Sequence, residues 1–198
     1  MHRLAAVFLA GFACGMLFLA LLLFWRPPRP IVIEAAQRPA VAPTARARLP
    51  VAAPEPPSKL VIPVKGVTAR ELVDSFDEMR GGHRHEAIDI LAPRGTPVLA
   101  VAKGPLAKLF DSKAGGLTVY QFDESETWCF YYAHLDHYAD GLIQGAVLHG
   151  GQVIGYVGTT GDAPPDTPHL HFAVFKLGPE KHWWQGTAID PYPLLMNR

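Results

Sequence analysis

The stretch Pro168-His169-Leu170-His171-Phe172-Ala173-Val174-Phe175-Lys176 carries the clearest structural signal in the chain. It places two histidines in a short apolar run that is typical of a β-strand. Side chains two residues apart in a strand point to the same face of the sheet. His169 and His171 therefore share one surface, and Leu170 faces the opposite side.

Two further histidines and one aspartate extend this set of metal-binding and acid–base groups. His85 and Asp89 are four residues apart, an even separation that keeps both on one face of an extended segment. His134 lies within the sequence Tyr131-Tyr132-Ala133-His134-Leu135. Two imidazoles and one carboxylate are a common ligand set for catalytic zinc, because they leave a fourth position for water. The sequence therefore indicates a zinc site with catalytic histidines beside it.

From residue 58 onward the sequence predicts a mainly antiparallel β-sheet domain, because short apolar runs alternate with glycine-containing turns. A short helix is predicted over residues 69–76, with Thr68 as its N-cap and Glu71 completing a capping box. Six strands are predicted, over residues 98–102, 106–110, 117–122, 128–133, 152–157 and 170–176.

Four motifs together resemble a known family. They are His-Glu-Ala-Ile-Asp-Ile-Leu-Ala-Pro-Arg-Gly-Thr-Pro-Val at 85–98, Tyr-Tyr-Ala-His-Leu at 131–135, Gly-Tyr-Val-Gly-Thr-Thr-Gly at 155–161 and Pro-His-Leu-His-Phe at 168–172. In this order they resemble the M23 metalloendopeptidases, the lysostaphin and LytM-like peptidoglycan hydrolases. The resemblance covers residues 60–195 and implies the antiparallel β fold of that family.

The resemblance also implies roles for the site residues. His85, Asp89 and His171 would bind Zn2+, and His134 and His169 would line the reaction centre without ligating the metal. Either of these two histidines would accept the proton of the attacking water or steady the oxyanion. The implied activity is hydrolysis of peptide bonds in the cross-links or stems of bacterial peptidoglycan.

The chain departs from the family pattern at two places. Ala87 stands where the family has glycine, and Asp77 follows Phe76 where the family has Phe-Gly. A methyl group at position 87 disfavours positive φ and is expected to narrow the approach to the metal. Neither change removes a ligand.

Two other functional hypotheses compete with the hypothesis of an enzyme. Some M23-like domains have lost ligands and instead bind and activate cell-wall amidases, so loss of a ligand would favour a regulator. A β scaffold with incidental histidines would leave the order and spacing of the motifs without a reason. Because all five site residues are present, we favour the enzyme.

The other histidines and the tryptophan pair have structural interpretations. His83, His137, His149 and His182 are predicted to lie at the surface, although the His83-Arg84-His85 sequence puts His83 two residues from a predicted ligand. Trp183-Trp184 predicts packing or a sheet edge, with an aromatic shelf for a sugar or peptide as the alternative. Cys14 and Cys129 are not expected to form a disulfide.

Residues 1–26 are predicted to be a transmembrane anchor. Residues 4–25 form 22 uncharged positions, a length that crosses a bilayer of about 30 Å as a helix. A cleaved signal peptide is the alternative, but the flanking arginines and prolines fit a cleavage site poorly. Gly11 and Gly15 form a small-xxx-small pair that allows weak homodimerisation through the helix.

Residues 27–57 are predicted to be an extended linker, because nine of these 31 residues are proline. Six basic and two acidic residues lie in segment 1–57. No basic stripe with interleaved aromatic residues is present, so nucleic-acid binding is not expected. The count of arginines around residues 4–25 does not itself favour an external domain. Because peptidoglycan lies outside the cytoplasm, the predicted location of domain 58–198 is nonetheless extracytoplasmic, on the inner membrane.

Overall fold

The computed structural model describes Glu55, Pro57 and residues 60–196. The predicted anchor, its glycine pair and nearly all of the linker lie outside these residues. No helix in the described part is long and apolar enough to cross a membrane.

The described part contains a 3-10 helix, Ala69–Glu71, and an α-helix, α1, Pro191–Met196. The strands are β1 Met79–Arg80, β2 His83–Arg84, β3 Ile88–Leu91, β4 Pro97–Leu99, β5 Gly104–Ser112, β6 Gly116–Phe122, β7 Trp128–Tyr138, β8 Val147–Leu148, β9 Val153–Val157, β10 His169–Leu177 and β11 Gly186–Ile189.

A nine-stranded sheet forms the body of the fold, and β1 and β2 form a separate hairpin. The main path through the sheet is β11-β10-β7-β6-β5-β8, with β3 joined to β10, and β9 joined to both β7 and β4. Every named strand pair is antiparallel. This confirms the predicted mainly antiparallel β fold, and each of the six predicted strands overlaps an observed one.

The core lies on one face of the long central strands, where alternate large side chains are buried. Phe130, Tyr132 and Phe172 are all fully buried. The Tyr132 hydroxyl donates to Gln121 Oε1 at 2.7 Å and accepts from the Val101 N–H at 2.9 Å. Because the hydroxyl both donates and accepts a hydrogen bond, its burial in the apolar core costs little free energy.

The predicted helix over residues 69–76 is wrong in its length. The helix ends after Glu71, and Leu72 is extended with φ −73° and ψ 140°. The capping pair is present, since the Glu71 carboxylate accepts from the Thr68 N–H at 2.8 Å and hydroxyl at 2.7 Å. Leu72 is buried in the core, and the non-helical residues after it include Ser75, which contacts the site. Tertiary contacts therefore override local helix propensity.

Five strands and α1 were not predicted from the sequence. β1, β2 and β8 have two residues each, and β3 and β11 have four. Strands this short contain too few alternations for periodicity to mark them. Of these, β3 matters most for function, because it carries Asp89.

Candidate active site

Pairing of β3 with β10 brings the two halves of the predicted ligand set together. Asp89 on β3 lies directly opposite His171 on β10. On the other edge of β10, Ala133 of β7 also lies opposite His171, and His134 follows it. All five predicted site residues line one cavity of about 620 Å3.

The three predicted ligands converge through one atom each. His85 Nε2 lies 3.0 Å from His171 Nδ1 and 3.1 Å from Asp89 Oδ1, and His171 Nδ1 lies 3.2 Å from the same oxygen. Two ligands of a tetrahedral zinc ion at about 2.0–2.1 Å from the metal would be separated by about 3.3–3.4 Å. The triangle of donor atoms therefore fits a zinc ion with only a slight expansion.

A hydrogen bond fixes the ring orientation of His85. Its Nδ1 donates to the backbone carbonyl of Ser75 at 3.1 Å, which leaves Nε2 for the ligand triangle. Such a contact sets the tautomer and ring angle of a ligating histidine. His171 instead presents Nδ1 to the triangle. Contacts within the chain therefore orient these donor atoms.

Asp89 is held as a carboxylate by the groups around it. Although burial raises its pKa, hydrogen bonds with His171, His85 and Arg80 hold the pKa well below its ordinary value. Arg80 Nη1 donates to Asp89 Oδ2 at 2.6 Å, and Arg80 Nη2 pairs with Glu78 at 2.9 Å. One oxygen of Asp89 therefore faces the histidines, and the other is held by the β1–β2 hairpin.

His134 and His169 lie beside the triangle and outside it. Their ring centroids are 5.0 Å apart, and His134 lies 5.6 Å from His171. His134 Nδ1 donates to the Thr160 carbonyl at 2.8 Å, and His169 Nδ1 donates to the Thr167 carbonyl at 2.8 Å. Each ring is therefore oriented through Nδ1, and its Nε2 remains for chemistry. Burial lowers the pKa of His134, which favours the neutral ring.

The backbone at His134 is in a conformation that non-glycine residues seldom adopt. Its φ is 60°, and its N–H donates to the Gly115 carbonyl at 2.8 Å. Left-handed backbone of this kind costs about 1–3 kcal/mol and is concentrated at functional sites. The surrounding contacts, rather than the local sequence, therefore hold the ring of His134 in the cavity.

Thr160 connects the segments that surround His134. Its hydroxyl donates to the Leu135 carbonyl at 2.7 Å and accepts from the Leu117 N–H at 3.0 Å. Gly116 and Gly161 both have positive φ, and a Cβ at either would collide with the facing backbone. The glycines therefore allow the close approach that brings the Thr160 carbonyl to His134.

The two departures from the family pattern leave the cavity intact. Ala87 is fully buried and does not line the cavity, so the expectation that its methyl group narrows the approach was wrong. The positive φ falls on the preceding Glu86, at 54°. Asp77 forms an ion pair with Arg84 at 3.0 Å, and both side chains are exposed.

The surface assignments of the remaining histidines agree with the structure in most cases. His83, His137 and His149 are exposed, and His182 is half-buried, stacked on Trp184. His83 lines the same cavity as His85 but is not part of the ligand triangle. Cys129 is a buried free thiol.

Sequence reasoning missed the groups that orient the site. The carbonyls of Ser75, Thr160 and Thr167 have no side-chain signature, because every residue carries a carbonyl. Pro168 gave a partial signal at Thr167, since a residue before proline is biased toward extended backbone. Arg80 had no signal beyond its place upstream of the His85 motif.

Comparison with known proteins identifies the family. Residues 83–191, more than half of the chain, match Peptidase family M23. The chain belongs to this family. The match includes all five predicted site residues of the cavity.

Two curated relatives are similar to part of the chain. The L-Ala–D-Glu endopeptidase of Bacillus subtilis is 37% identical over 121 residues, which are 58% of this chain and 36% of that protein. The DD-carboxypeptidase/endopeptidase Mpg of Neisseria meningitidis is 40% identical over 92 residues, which are 44% of this chain and 19% of that protein. The chain therefore spans about a third or less of the length of these relatives.

Two solved structures share the fold. The catalytic domain of the antimicrobial peptidase lysostaphin from Staphylococcus simulans is 26% identical with a TM-score of 0.51, covering 70% of this chain and 92% of that one. Helicobacter pylori Csd3 is 26% identical with a TM-score of 0.54, covering 70% and 35%.

Proposed function

We propose that this chain is a zinc metalloendopeptidase that hydrolyses peptide bonds in bacterial peptidoglycan. The observation that carries the proposal is the triangle of donor atoms from His85, Asp89 and His171, with two oriented histidines beside it. The named activities of the M23 relatives support peptidoglycan peptides as the substrate class.

The metal ligands and the two other histidines would have separate roles in hydrolysis. When bound by His85, Asp89 and His171, zinc would polarise the scissile carbonyl and lower the pKa of a water toward neutrality. His134 and His169 would act as a pair at their Nε2 atoms. One ring, neutral with its proton on Nδ1, would accept the proton of the attacking water, and the other, protonated on both nitrogens, would donate a hydrogen bond to the developing oxyanion. A neutral His134, which burial favours, is the form that accepts a proton.

Metal content separates ligands from acid–base groups. The wild-type chain should hold about one zinc per molecule, and His171→Ala should lose most of it because one of three ligands is gone. His134→Ala and His169→Ala should keep zinc but lose most hydrolysis of purified sacculi, with released fragments identified by mass. Stoichiometric zinc in His171→Ala would refute the ligand set, and near wild-type turnover in both other variants would refute the mechanism.

The same assay distinguishes an enzyme from a non-catalytic regulator of cell-wall amidases. A regulator needs no metal-ligand set, and all three predicted ligands are present and converge in this chain. Release of peptide fragments by the purified chain alone supports an enzyme. Release only when an amidase is added would support the regulator.

We further propose that the catalytic domain lies outside the cytoplasm, tethered by residues 4–25 and the proline-rich segment after them. The proposal rests on 22 uncharged residues, on the linker composition and on the location of peptidoglycan. A reporter fused after Arg198 should be active only outside the cytoplasm. Reporter activity confined to the cytoplasm would contradict the topology. A soluble protein whose N-terminus lies beyond Trp25 would show that the segment before it is a cleaved signal rather than an anchor.

A further inference from the structure

A group of aromatic side chains, half-buried except for the exposed Trp184, continues from the ligand triangle along the same face of the sheet. On β10, Phe175 is four positions after His171, and an even spacing in a strand means that both side chains point to this face. Tyr131 lies opposite Ala173 on one side and opposite Tyr120 on the other. We call this group the aromatic shelf, and it consists of Tyr120, Tyr131, Phe175, Trp183 and Trp184.

The rings of the shelf form a continuous path that begins at the metal-ligand group. The Tyr131 ring meets the His171 ring edge to face, with centroids 5.9 Å apart. Tyr120 lies 4.7 Å from both Tyr131 and Trp183, and Trp183 lies 5.2 Å from Trp184. Phe175, four residues beyond His171, is about 13 Å along the strand. The shelf is therefore within reach of a substrate held at His171.

Core packing does not account for the outer end of the shelf. Trp184 is 62% exposed, although tryptophan side chains are usually well buried. The shelf lines a cavity of about 390 Å3 together with Gln185 and Gly186. An exposed apolar surface that lines a cavity is typical of a ligand-binding groove.

The loop between β10 and β11 holds the two tryptophans in place. The His182 ring is stacked on Trp184 at 4.5 Å and 8°. The Gln185 N–H donates to the His182 carbonyl at 3.1 Å, and Lys181 forms an ion pair with Glu126 at 3.0 Å. A fixed aromatic surface loses little conformational entropy when a ligand binds.

The chemistry of the lining selects among the parts of the proposed substrate. The peptides of peptidoglycan carry carboxylates and amines, whereas its glycan strands are chains of N-acetylated aminosugars. None of the side chains that line this cavity is ionised at neutral pH. Sugar rings present a face of C–H bonds that packs on aromatic rings, and their hydroxyl and acetamido groups match the Tyr120 and Tyr131 hydroxyls and the Gln185 amide.

We propose that the aromatic shelf is a binding site for an N-acetylated aminosugar of the glycan strand, beside the site that cuts the attached peptide. The inference rests on the proposed function, because it assigns a second part of the same substrate. If the shelf binds a sugar, the interpretation of Trp183-Trp184 as a packing feature is incomplete. Trp183 packs against Tyr120, whereas Trp184 presents its ring to the ligand.

Sugar binding can be measured without hydrolysis. Titration of the full-length chain with a neutral tetramer of N-acetylglucosamine should change its tryptophan fluorescence in a saturable way. Trp184→Ala should weaken binding about tenfold, the size expected for loss of one aromatic stacking partner. Ile143→Ala is the matched control, because Ile143 is 68% exposed and does not line this cavity, and its binding should equal wild type.

Hydrolysis gives a second, independent readout. Wild type should have a higher kcat/KM for a peptide carrying its disaccharide than for the same free peptide. Trp184→Ala should bring this ratio close to one, whereas Ile143→Ala should keep the wild-type ratio. Absence of saturable sugar binding, or equal binding by wild type and Trp184→Ala, would overturn the inference. Trp184-dependent binding of a synthetic peptide of residues 27–57, but not of the sugar, would also overturn it and assign the shelf to the linker.

The two proposals fail in different ways. Saturable, Trp184-dependent sugar binding by a chain that does not digest sacculi would support the shelf and refute the peptidase. Digestion of sacculi together with Trp184-independent sugar binding would support the peptidase and refute the shelf.

Discussion

Substitution of Gly116 by alanine tests how the fold positions His134. Gly116 has φ +62°, and a Cβ there would lie 2.5 Å from Gly161 N and closer still to Thr160. Because real Cβ contacts are not shorter than 3.0 Å, the Thr160 segment must move by about half an ångström or more. The Thr160 carbonyl is the acceptor for His134 Nδ1, so this movement is passed to the His134 ring.

The magnitude has two parts, and Gly141 separates them. An L-residue in left-handed backbone costs about 1–2 kcal/mol at either position. Gly141 has φ +76° but nothing within 4 Å of the place that a methyl group would take, so Gly141→Ala should show that cost alone. Overpacking at Gly116 adds about 1–3 kcal/mol. A misplacement of 1 Å costs about a hundredfold in rate, so half that shift should lower kcat about tenfold.

Three measurements on each variant check this reasoning. The free energy of unfolding comes from urea denaturation, zinc content from metal analysis, and kcat from fragment release. Gly116→Ala should be less stable than Gly141→Ala, should retain zinc because no ligand is touched, and should turn over about tenfold more slowly. Equal stability and equal turnover in the two variants would refute the claim that this contact positions His134.

Three further predictions concern the core, the buried thiol and the metal. Tyr132→Phe should lower the free energy of unfolding by about 1–3 kcal/mol, measured in urea, because Gln121 and Val101 lose their buried partner; a neutral effect would contradict the assigned hydrogen bonds. Burial raises the pKa of the Cys129 thiol, so iodoacetamide at pH 8 should label it only after unfolding, as mass spectrometry of native and denatured protein would show. Zinc at about a hundred times its Kd should stabilise the wild type by about 2.7 kcal/mol, and His171→Ala should lose this gain; the same metal-dependent stabilisation in both would place the ion elsewhere.

The limits of sequence reasoning are visible in the segment before His85. The capping pair at Thr68 and Glu71 predicts a helix that begins at this point. The helix does begin there, but it consists of a single turn and ends at Glu71. Leu72 then enters the core, and Ser75 gives its carbonyl to His85. Local hydrogen bonds start an element, but contacts distant in sequence decide where it stops.

Strand periodicity predicted which histidines share a face, because side chains along a strand alternate between the two faces of the sheet. His169 and His171 had to share a face whatever the rest of the chain did. By contrast, the opposition of Asp89 and His171 depends on the register between β3 and β10, which are far apart in sequence. Only the motif resemblance, and not the spacing, pointed to that pairing.

The sequence alone therefore determined the residue types of the site, the strands that carry most of them and the mainly β fold. These follow from local periodicity and from side chains whose chemistry is visible in the sequence. The tertiary structure alone decided the orienting contacts, namely the Arg80 pair with Asp89, the carbonyl acceptors of the histidine rings and the aromatic shelf beside them. The physical reason is that backbone carbonyls are the same in every residue, and cross-strand neighbours are set by register rather than by sequence distance.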